Sequence, residues 1–534
     1  MKTLTTIILA LIFTFGVSDI TAQDTWLRTY NDTLSNYDQA IHHTTDLNGN
    51  IYVTGYTSNP TDGLKGLTLK YSPTGALLWK RTFSTVGVGV YGRKVLIDQQ
   101  GLVYVFMTYS MSGIDDVYMV KYDNNGNVVR VMLVGTPNVD EKFADASLDN
   151  NGNVFLALNC AVTGNDTDIK IFKYSNQLQL ITSKTYTGSG RENASKILVN
   201  QFNDVYIVGT TTSNPGAGIG DILVLRYDTQ LAYFYNYIWS SPNSYESIGS
   251  SCLTPDGGLV ITGSSNVNGK YDFLMIRLHN NLQLQWMNVY SASPVSTGFG
   301  DDVAVDNLNK VYICGSENSN SNTDAAVMKL DGQSGSVEWY KKYSRGSANE
   351  IAGSIGIDGS RNVYIAGISN SSDAMVLKYD NNGNLLFEYN YNGTANGNDG
   401  FESLTVSPDG KFCATGAAIT STNGDALIVK INTSTMTGIT GAENEIPSDY
   451  SLSQNYPNPF NPSTKISFSI PKASFVKMAV YDITGREVET LVNEQLNAGT
   501  FEVDFNASKL TSGVYFYRIS AEDFVETRKM ILTK

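Results

Sequence analysis

One pattern governs what this chain can fold into: a strand-like motif of the form Val-Tyr-x-x-Gly that returns eight times. It begins at Ile51, Val103, Val154, Val205, Leu259, Val311, Val363 and Phe412, at intervals of 49 to 54 residues. Gly closes it at Gly55, Gly209, Gly263, Gly315, Gly367 and Gly416, while Met107 and Leu158 depart from it. Self-similarity at such a period marks a chain assembled from stacked supersecondary units, each unable to bury its apolar face alone.

Each copy has the same anatomy. An alternating strand comes first, as in Ala40 to Thr45 or Lys94 to Ile97. A turn such as Asp46-Leu-Asn-Gly-Asn50 follows, with Asn and Gly where positive φ is needed. The Val-Tyr strand is next, then a polar loop and a third strand such as Asp116 to Tyr122 or Asp373 to Tyr379. A second turn, Asp123 to Asn127 or Asp380 to Asn384, delivers a fourth strand carrying Trp79, Trp286 or Trp339. Four antiparallel strands per unit describe a propeller blade, and eight units predict an eight-bladed all-β propeller.

Closure is also legible. Trp26-Leu-Arg-Thr-Tyr30 mirrors the fourth-strand segments Trp79 to Phe83 and Trp339 to Tyr343, whereas the last repeat stops after Lys430-Ile431 without a fourth strand. The expectation is that Trp26 to Tyr30 completes the final blade and removes the exposed edges of an open array. A linear solenoid is the alternative, with both ends uncapped.

The flanks differ from the repeats. Residues 1–22 read as a signal peptide, with Lys2, an apolar run from Leu4 to Val17, and Ala22 before Gln23. No later stretch is apolar enough to span a membrane as a helix. The propeller is expected over 23–438, a linker over 439–450 and a second domain over 451–534. The second domain is a run of short antiparallel strands: 465–470, 475–481, 486–492, 500–505, 514–521 and 527–532. About 80 residues of this kind predict a small Ig-like β-sandwich.

Two stretches resemble known families. Asp46 to Gly55 with Lys70-Tyr71, and Asp116 to Asp123, resemble the bacterial beta-propeller repeat proteins, a family usually described as seven-bladed where eight motifs are counted here. That resemblance implies a fold and an extracytoplasmic setting, and no reaction. Asn455-Tyr-Pro-Asn-Pro-Phe-Asn-Pro-Ser-Thr464, Val480 to Arg486 and Leu510 to Arg518 resemble the C-terminal sorting domain of the type IX secretion system. This second resemblance implies a Gram-negative cell, passage across its outer membrane by the type IX machinery, and release or attachment at the cell surface. A hook-cap-type module shares the Pro-Asn-Pro-Phe-Asn-Pro opening and is the other reading of the same residues.

The chemistry available is sparse. A formal net charge of −14 excludes a nucleic-acid partner as the default. Cys160, Cys252, Cys314 and Cys413 occupy unlike repeat positions and read as free thiols. His42 and His43 are adjacent on a strand and point to opposite faces, and His279 sits in a turn. The Asp-x-Asn-Gly-Asn turns lack the spacing of a calcium loop. No metal, no cofactor and no catalytic residue is expected.

Three columns recur across the repeats. A basic residue ends every third strand: Lys70, Lys121, Lys173, Arg226, Arg277, Lys329, Lys378 and Lys430. An acid opens the first strand in six repeats: Asp38, Glu141, Glu192, Glu246, Glu350 and Asp399. Both read as structural, because one per blade is what a ladder supplies, whereas chemistry needs unlike groups converging on one spot. The third column is mixed: His42, Lys94, Asp145, Lys196, Ser250, Asp302, Ser354 and Ser403. Alternation turns it toward the central channel, and His42, Lys94, Asp145, Lys196 and Asp302 are its candidate ligand-binding members, a merely solvated channel being the other reading. The polar loops Thr57–Lys65, Ser213–Gly220 and Ser316–Thr323 suit recognition on a rigid scaffold. The leading expectation is a secreted or surface binding protein without catalysis, its partner a carbohydrate, another surface polymer or a protein. A secreted hydrolase or lyase acting on a polysaccharide is the alternative, and a purely structural envelope role is the third.

Overall fold

The structure is a computed structural model, and it describes residues 25–533 except 32–36, 60–62, 86–87, 112, 137–138, 163–165, 214–219, 242–243, 320–321, 371, 394–396, 420–422, 433–439, 443–449, 472–473, 497–498 and 522–523. The expected signal peptide, 1–22, lies outside the described residues. The described chain is all-β and holds no helix, and no helix long and apolar enough to cross a membrane is present among those residues.

Repeats 2 to 7 each form one four-stranded antiparallel sheet in chain order, spanning 90–134, 141–186, 192–239, 246–290, 297–343 and 351–391. Repeat 1, Tyr37–Thr45 through Leu77–Phe83, and repeat 8, Gly400–Val406 through Gly424–Asn432, make a joint eight-stranded sheet. The two halves meet where Tyr37 pairs in parallel with Gly424. Trp26–Tyr30 is the fourth strand of repeat 8, antiparallel to Gly424–Asn432 with Trp26 opposite Lys430 and Tyr30 opposite Ala426. The first strand of every repeat packs against the first strand of the next, and that of repeat 8 packs against that of repeat 1.

The turns work as their sequence requires. Asp46 accepts hydrogen bonds from the N–H groups of Asn48 and Asn50, both at 2.9 Å, and Gly49 adopts φ +77°. The carboxylate is thus engaged by its own hairpin, an Asx turn. Asp98, Asp123, Asp149, Asp306 and Asp358 repeat this arrangement.

Neighbouring repeats are stapled through the turn before each fourth strand. Trp79 Nε1 donates to the Asn124 carbonyl at 3.0 Å, Trp286 to Gly332 at 2.8 Å and Trp339 to Asn381 at 3.1 Å. Each indole lies on a glycine of that next turn, Gly126, Gly335 or Gly383, where φ is positive and a Cβ would come within 3 Å of the ring. The basic column ends at the same turns: Lys70 donates to the Asn124 carbonyl at 3.0 Å and Lys173 to Thr229 at 2.7 Å. Arg226 departs, turning back to Asp204 at 2.7 Å. The seam between repeats 8 and 1 uses the same devices. Trp26 Nε1 donates to the Pro73 carbonyl at 2.9 Å, Lys430 reaches that carbonyl at 3.2 Å, and the Trp26 ring covers Gly75. Buried His43 adds to it, with its ring nitrogens 2.9 and 2.8 Å from the Thr415 and Thr405 hydroxyls of repeat 8.

The C-terminal residues form two four-stranded antiparallel sheets over one core. Thr440–Ala442, Gly499–Asn506, Ser463–Ile470 and Ser451–Leu452 make one sheet. Glu487–Leu496, Ser474–Tyr481, Gly513–Ala521 and Phe524–Leu532 make the other. Ile466, Phe468 and Ile470 meet Val476, Met478, Tyr517 and Ile519 between them. Asn455 anchors the Pro-rich opening, its amide donating to the Pro457 carbonyl at 3.1 Å and to Thr464 Oγ1 at 2.9 Å. The segment expected as a linker, 439–450, includes a strand of this unit, Thr440–Ala442 paired with residues 500–502. Three residues without apolar alternation give no strand signal in sequence, and pairing with a neighbour supplies it instead.

Candidate functional site

The mixed polar column is positioned by a device that recurs in every first strand. The strand slips register by one residue just before each column member, as at Ala40/His42, Gly92/Lys94, Phe143/Asp145 and Gly300/Asp302. The remaining four first strands slip at the equivalent place. A β-bulge leaves one residue unpaired and re-aims the strand. The bulged residues are Ile41, Arg93, Ala144, Ser195, Gly249, Asp301, Gly353 and Glu402, and Arg93, Gly249, Gly353 and Glu402 are exposed.

Two charges of the column pair with each other, and its carboxylates also reach the backbone of the next repeat. Lys94 Nζ lies 2.5 Å from Asp145 Oδ1, and Asp145 Oδ2 accepts from the Ile197 N–H of the next repeat at 3.1 Å. Asp302 Oδ2 accepts from the Ile355 N–H at 3.0 Å and from Ser354 Oγ at 3.4 Å. These groups pin adjacent first strands together. His42 differs: its Nδ1 is buried with no hydrogen-bond partner among the described residues. Burial pushes the His42 imidazole well below its usual value, and neighbouring Lys94, His43 and Lys196 push the same way. The structure therefore brings Lys94 and Lys196 within electrostatic reach of His42. It ties Asp145 and Asp302 to neighbouring backbone.

The acid column is equally committed. All six of its members are buried. Glu141 accepts from the Thr136 N–H at 2.7 Å, Glu192 from Gly188 at 2.9 Å, Glu350 from Arg345 at 3.1 Å and Asp399 from Gly393 at 2.5 Å. Each donor lies in the loop leading into its strand, so the acid fastens that loop. Repeats 2 and 6 lack the acid and carry Val90 and Gly298 there.

Clefts open at the loop ends of those two repeats. The one on repeat 2, about 530 Å³, is lined by Tyr91, Arg93, Tyr109 and Lys142 among others. Arg93 lies 5.5 Å over the Tyr91 ring and donates to Thr108 Oγ1 at 2.9 Å. Tyr56 meets Tyr91 edge-on at 5.3 Å and stacks on Tyr37 at 6.1 Å, so a row of three tyrosines leads into the cleft.

The cleft on repeat 6 is about 690 Å³, and Asp301, Phe299, Ser316, Asn318 and Ile351 contribute to its lining. Phe299 stacks on Tyr271 at 5.5 Å, and Tyr245 meets Tyr271 edge-on at 6.4 Å. Ser316 Oγ donates to Asp301 Oδ2 at 3.2 Å. Burial pushes the Asp301 carboxyl up to about 6; the Ser316 hydrogen bond opposes this and the Asp302 charge adds to it. In place of the missing acid, buried Glu317 takes the Ser296 hydroxyl at 2.6 Å and the Tyr340 hydroxyl at 2.5 Å.

Sequence reasoning chose Asp302 and passed over Asp301, because counted alternation does not register a bulge. The Asp301-Asp302 pair was the available signal. Of the three expected recognition loops, Ser316–Thr323 contributes Ser316, Asn318 and Thr323 to this cleft, but as strand residues rather than loop, Asn318 lying opposite Thr323. Most of Ser213–Gly220 lies outside the described residues. Thr57–Lys65 corrects likewise: Thr57 to Asn59 and Gly63 to Lys65 extend the two strands themselves, Asn59 opposite Gly63. No group of three or more His, Cys, Asp or Glu side chains able to hold a metal occurs among the described residues. Cys160, Cys314 and Cys413 are free and buried, and Cys252 is free and half-buried.

Comparison with known proteins bears on both parts of the chain. Residues 454–533 match the secretion system C-terminal sorting domain family, and residues 254–284 match a beta-propeller family described as a domain of unknown function, DUF5122. No curated protein matches the chain. Among solved structures it is similar to PorZ, an essential bacterial surface component of the type-IX secretion system of Porphyromonas gingivalis. That match has 12% identity and a TM-score of 0.37, and covers 91% of this chain and 69% of that one. It is also similar to a polysaccharide lyase of family PL25, an ulvan lyase, at 11% identity and a TM-score of 0.38 over 67% of this chain and 94% of that one. A puromycin-hydrolyzing peptidase of Mycobacterium tuberculosis matches at 10% identity and a TM-score of 0.40, over 83% of this chain and 60% of that one. Likenesses this distant carry nothing about what this chain does. The sorting tail is specific, and it indicates export to the cell surface or the medium.

Proposed function

We propose that this protein is an exported, non-catalytic binding protein. In this reading an eight-bladed propeller presents a ligand-binding rim, and an Ig-like C-terminal sandwich delivers it through the type IX secretion machinery of a Gram-negative cell. The ligand is a surface polymer, and the mature protein is released or held at the outer surface.

One observation carries the choice of binding over catalysis. Near the centre the carboxylates are engaged in pinning strand to strand, as Lys94–Asp145 and Asp302–Ile355 illustrate, and burial keeps His42 uncharged. Catalysis needs titratable groups free to meet a substrate. The open clefts lie instead at loop ends and set aromatic rings beside polar groups, Phe299 with Asp301 and Asn318 in one and Tyr91 and Tyr109 with Arg93, Asp115 and Lys142 in the other, a mixture that suits recognition.

Two experiments test this. Residues 451–534 fused to a reporter in a type IX-competent cell should carry it outside, and retention in the periplasm refutes the export reading. The full chain incubated with polysaccharides should bind without shortening them, and release of new reducing ends refutes the non-catalytic reading.

A further inference from the structure

The repeat 6 cleft is furnished for one chemical class of ligand. Among the described residues no Lys, Arg or His lines it, so an anionic polymer finds no counter-charge from them. It does hold an acceptor in want of a donor. Asn318 Oδ1 is buried with no hydrogen-bond partner among the described residues. A buried acceptor left unmatched is unfavourable, and a ligand hydroxyl matches it. Asp301 offers a second acceptor beside the Ser316 hydroxyl. The half-buried Phe299 ring, held flat against Tyr271, supplies an apolar plate at the wall.

The bulge positions on either side of Asp301 are both glycine, for different reasons: a Cβ on Gly249 would fall 2.0 Å from the Gly300 carbonyl oxygen, whereas Gly353 faces open space. A Cβ placed on Gly353 would meet no atom within 4 Å, so its smallness serves no packing need inside the protein. The same position in repeats 2 and 8 carries Arg93 and Glu402.

We propose that this cleft binds a neutral sugar ring, its C–H face against Phe299 and its hydroxyls donating to Asp301 and Asn318. The proposal rests on the exported-binder reading and names the site and ligand class for it. A pyranose is the ligand that combines an apolar face with a rim of hydroxyl donors and no charge. Because burial raises Asp301 to about 6, its acceptor strength falls as the pH drops through that value, and sugar affinity falls with it.

The test is calorimetric titration of the full chain with neutral hexasaccharides of glucose, mannose, galactose and N-acetylglucosamine, alongside alginate and chitosan hexamers. At least one neutral hexamer should bind at pH 7.5 and bind more weakly at pH 5. Phe299→Ala and Gly353→Phe should each weaken it at least tenfold. Gly353→Phe fills the cleft from open space, so its melting temperature should stay within about 2 °C of the parent. Neutral-sugar binding that survives both substitutions overturns the cleft while leaving the binding protein standing. Binding restricted to the alginate or chitosan hexamer overturns the ligand class. Failure of every hexamer and of whole surface polysaccharide overturns this proposal together with the reading beneath it.

Discussion

The seam between the first and last repeats is held without a covalent link, and Trp26→Ala is the sharpest way to probe it. The Trp26 side chain is 6% exposed, covers Gly75, tilts against Tyr71 at 5.7 Å and donates to the Pro73 carbonyl at 2.9 Å. Truncating a buried tryptophan costs about 3–5 kcal/mol. Unfolding entropy of about 2.1 cal/mol/K per residue over roughly 400 residues gives about 0.85 kcal/mol/K, so the expected drop in Tm is about 4–6 °C. Trp286 is the internal control, since it makes the same contacts within the chain of repeats, donating to Gly332 at 2.8 Å and covering Gly335. Differential scanning calorimetry of the full chain and both variants measures the effect. If Trp286→Ala lowers Tm by several degrees while Trp26→Ala moves it by less than 1 °C, the N-terminal strand does not clasp repeat 8 to repeat 1.

The same logic extends to three further positions. Gly383→Ala should destabilise by about 1–2 kcal/mol from positive φ alone. It also sets a Cβ 2.9 Å from the Trp339 ring at φ +81°, whereas Gly353→Ala should be neutral in the same urea titration. His43, whose pKa burial lowers from 6.5 to about 4, takes its proton later in the folded state than in the unfolded chain. Stability from neutral His43 is therefore full above pH 6.5 and lost as the pH falls toward 4, by up to about 3 kcal/mol, and His43→Gln should flatten that limb of the pH–Tm curve. Asp301 carries the opposite sign, because its raised pKa means the folded state holds the proton longer. Stability falls as the pH rises from 3.8 to about 6, so Asp301→Asn should be more stable than the parent at pH 7.5, by about 1–3 kcal/mol, and equal to it below pH 3.8.

How much of this was legible from sequence depends on whether the signal repeats. The Val-Tyr motif, the Asp-x-Asn-Gly-Asn turns and the fourth-strand tryptophans occur in register, so each copy corroborates the others. The position of Trp26 opposite Lys430 follows from matching one orphan strand to one incomplete repeat. The C-terminal strands were readable because apolar alternation persists, as in residues 463–470. What repetition hides is what the copies do not share. The bulge before His42 or Asp302 leaves no mark in hydrophobic alternation, since the column member still alternates with its apolar neighbour. The Glu317 replacement sits on the second strand, where no column pointed to it. Val90 and Gly298 showed in sequence as gaps in the acid column, and only packing gave the gaps meaning.

Those gaps connect the scaffold to the site. Where the acid is present it accepts the N–H of the preceding loop, drawing that loop down onto its own strand, as Glu192 does with Gly188 and Asp399 with Gly393. In repeat 6 the tether is absent because the Phe273 ring occupies the space: a Cβ on Gly298 would fall 2.3 Å from it. The loop is fastened instead through Ser296 to Glu317, on the second strand. Ser316 and Asn318, the residues on either side of Glu317, line the cleft with Asp301. A ring of near-identical units must keep its packing residues alike at every joint, and six buried acids satisfy that demand. A binding site needs a place where the units differ, and repeat 6 differs at its acid, its bulge residue and its aromatic plate together. Restoring the acid without removing the ring, as in Gly298→Glu, should therefore collide with Phe273 and destabilise the protein, while Phe273→Ala with Gly298→Glu should regain part of that loss. Equal melting temperatures for the single and double variants refute the idea that the ring displaced the acid.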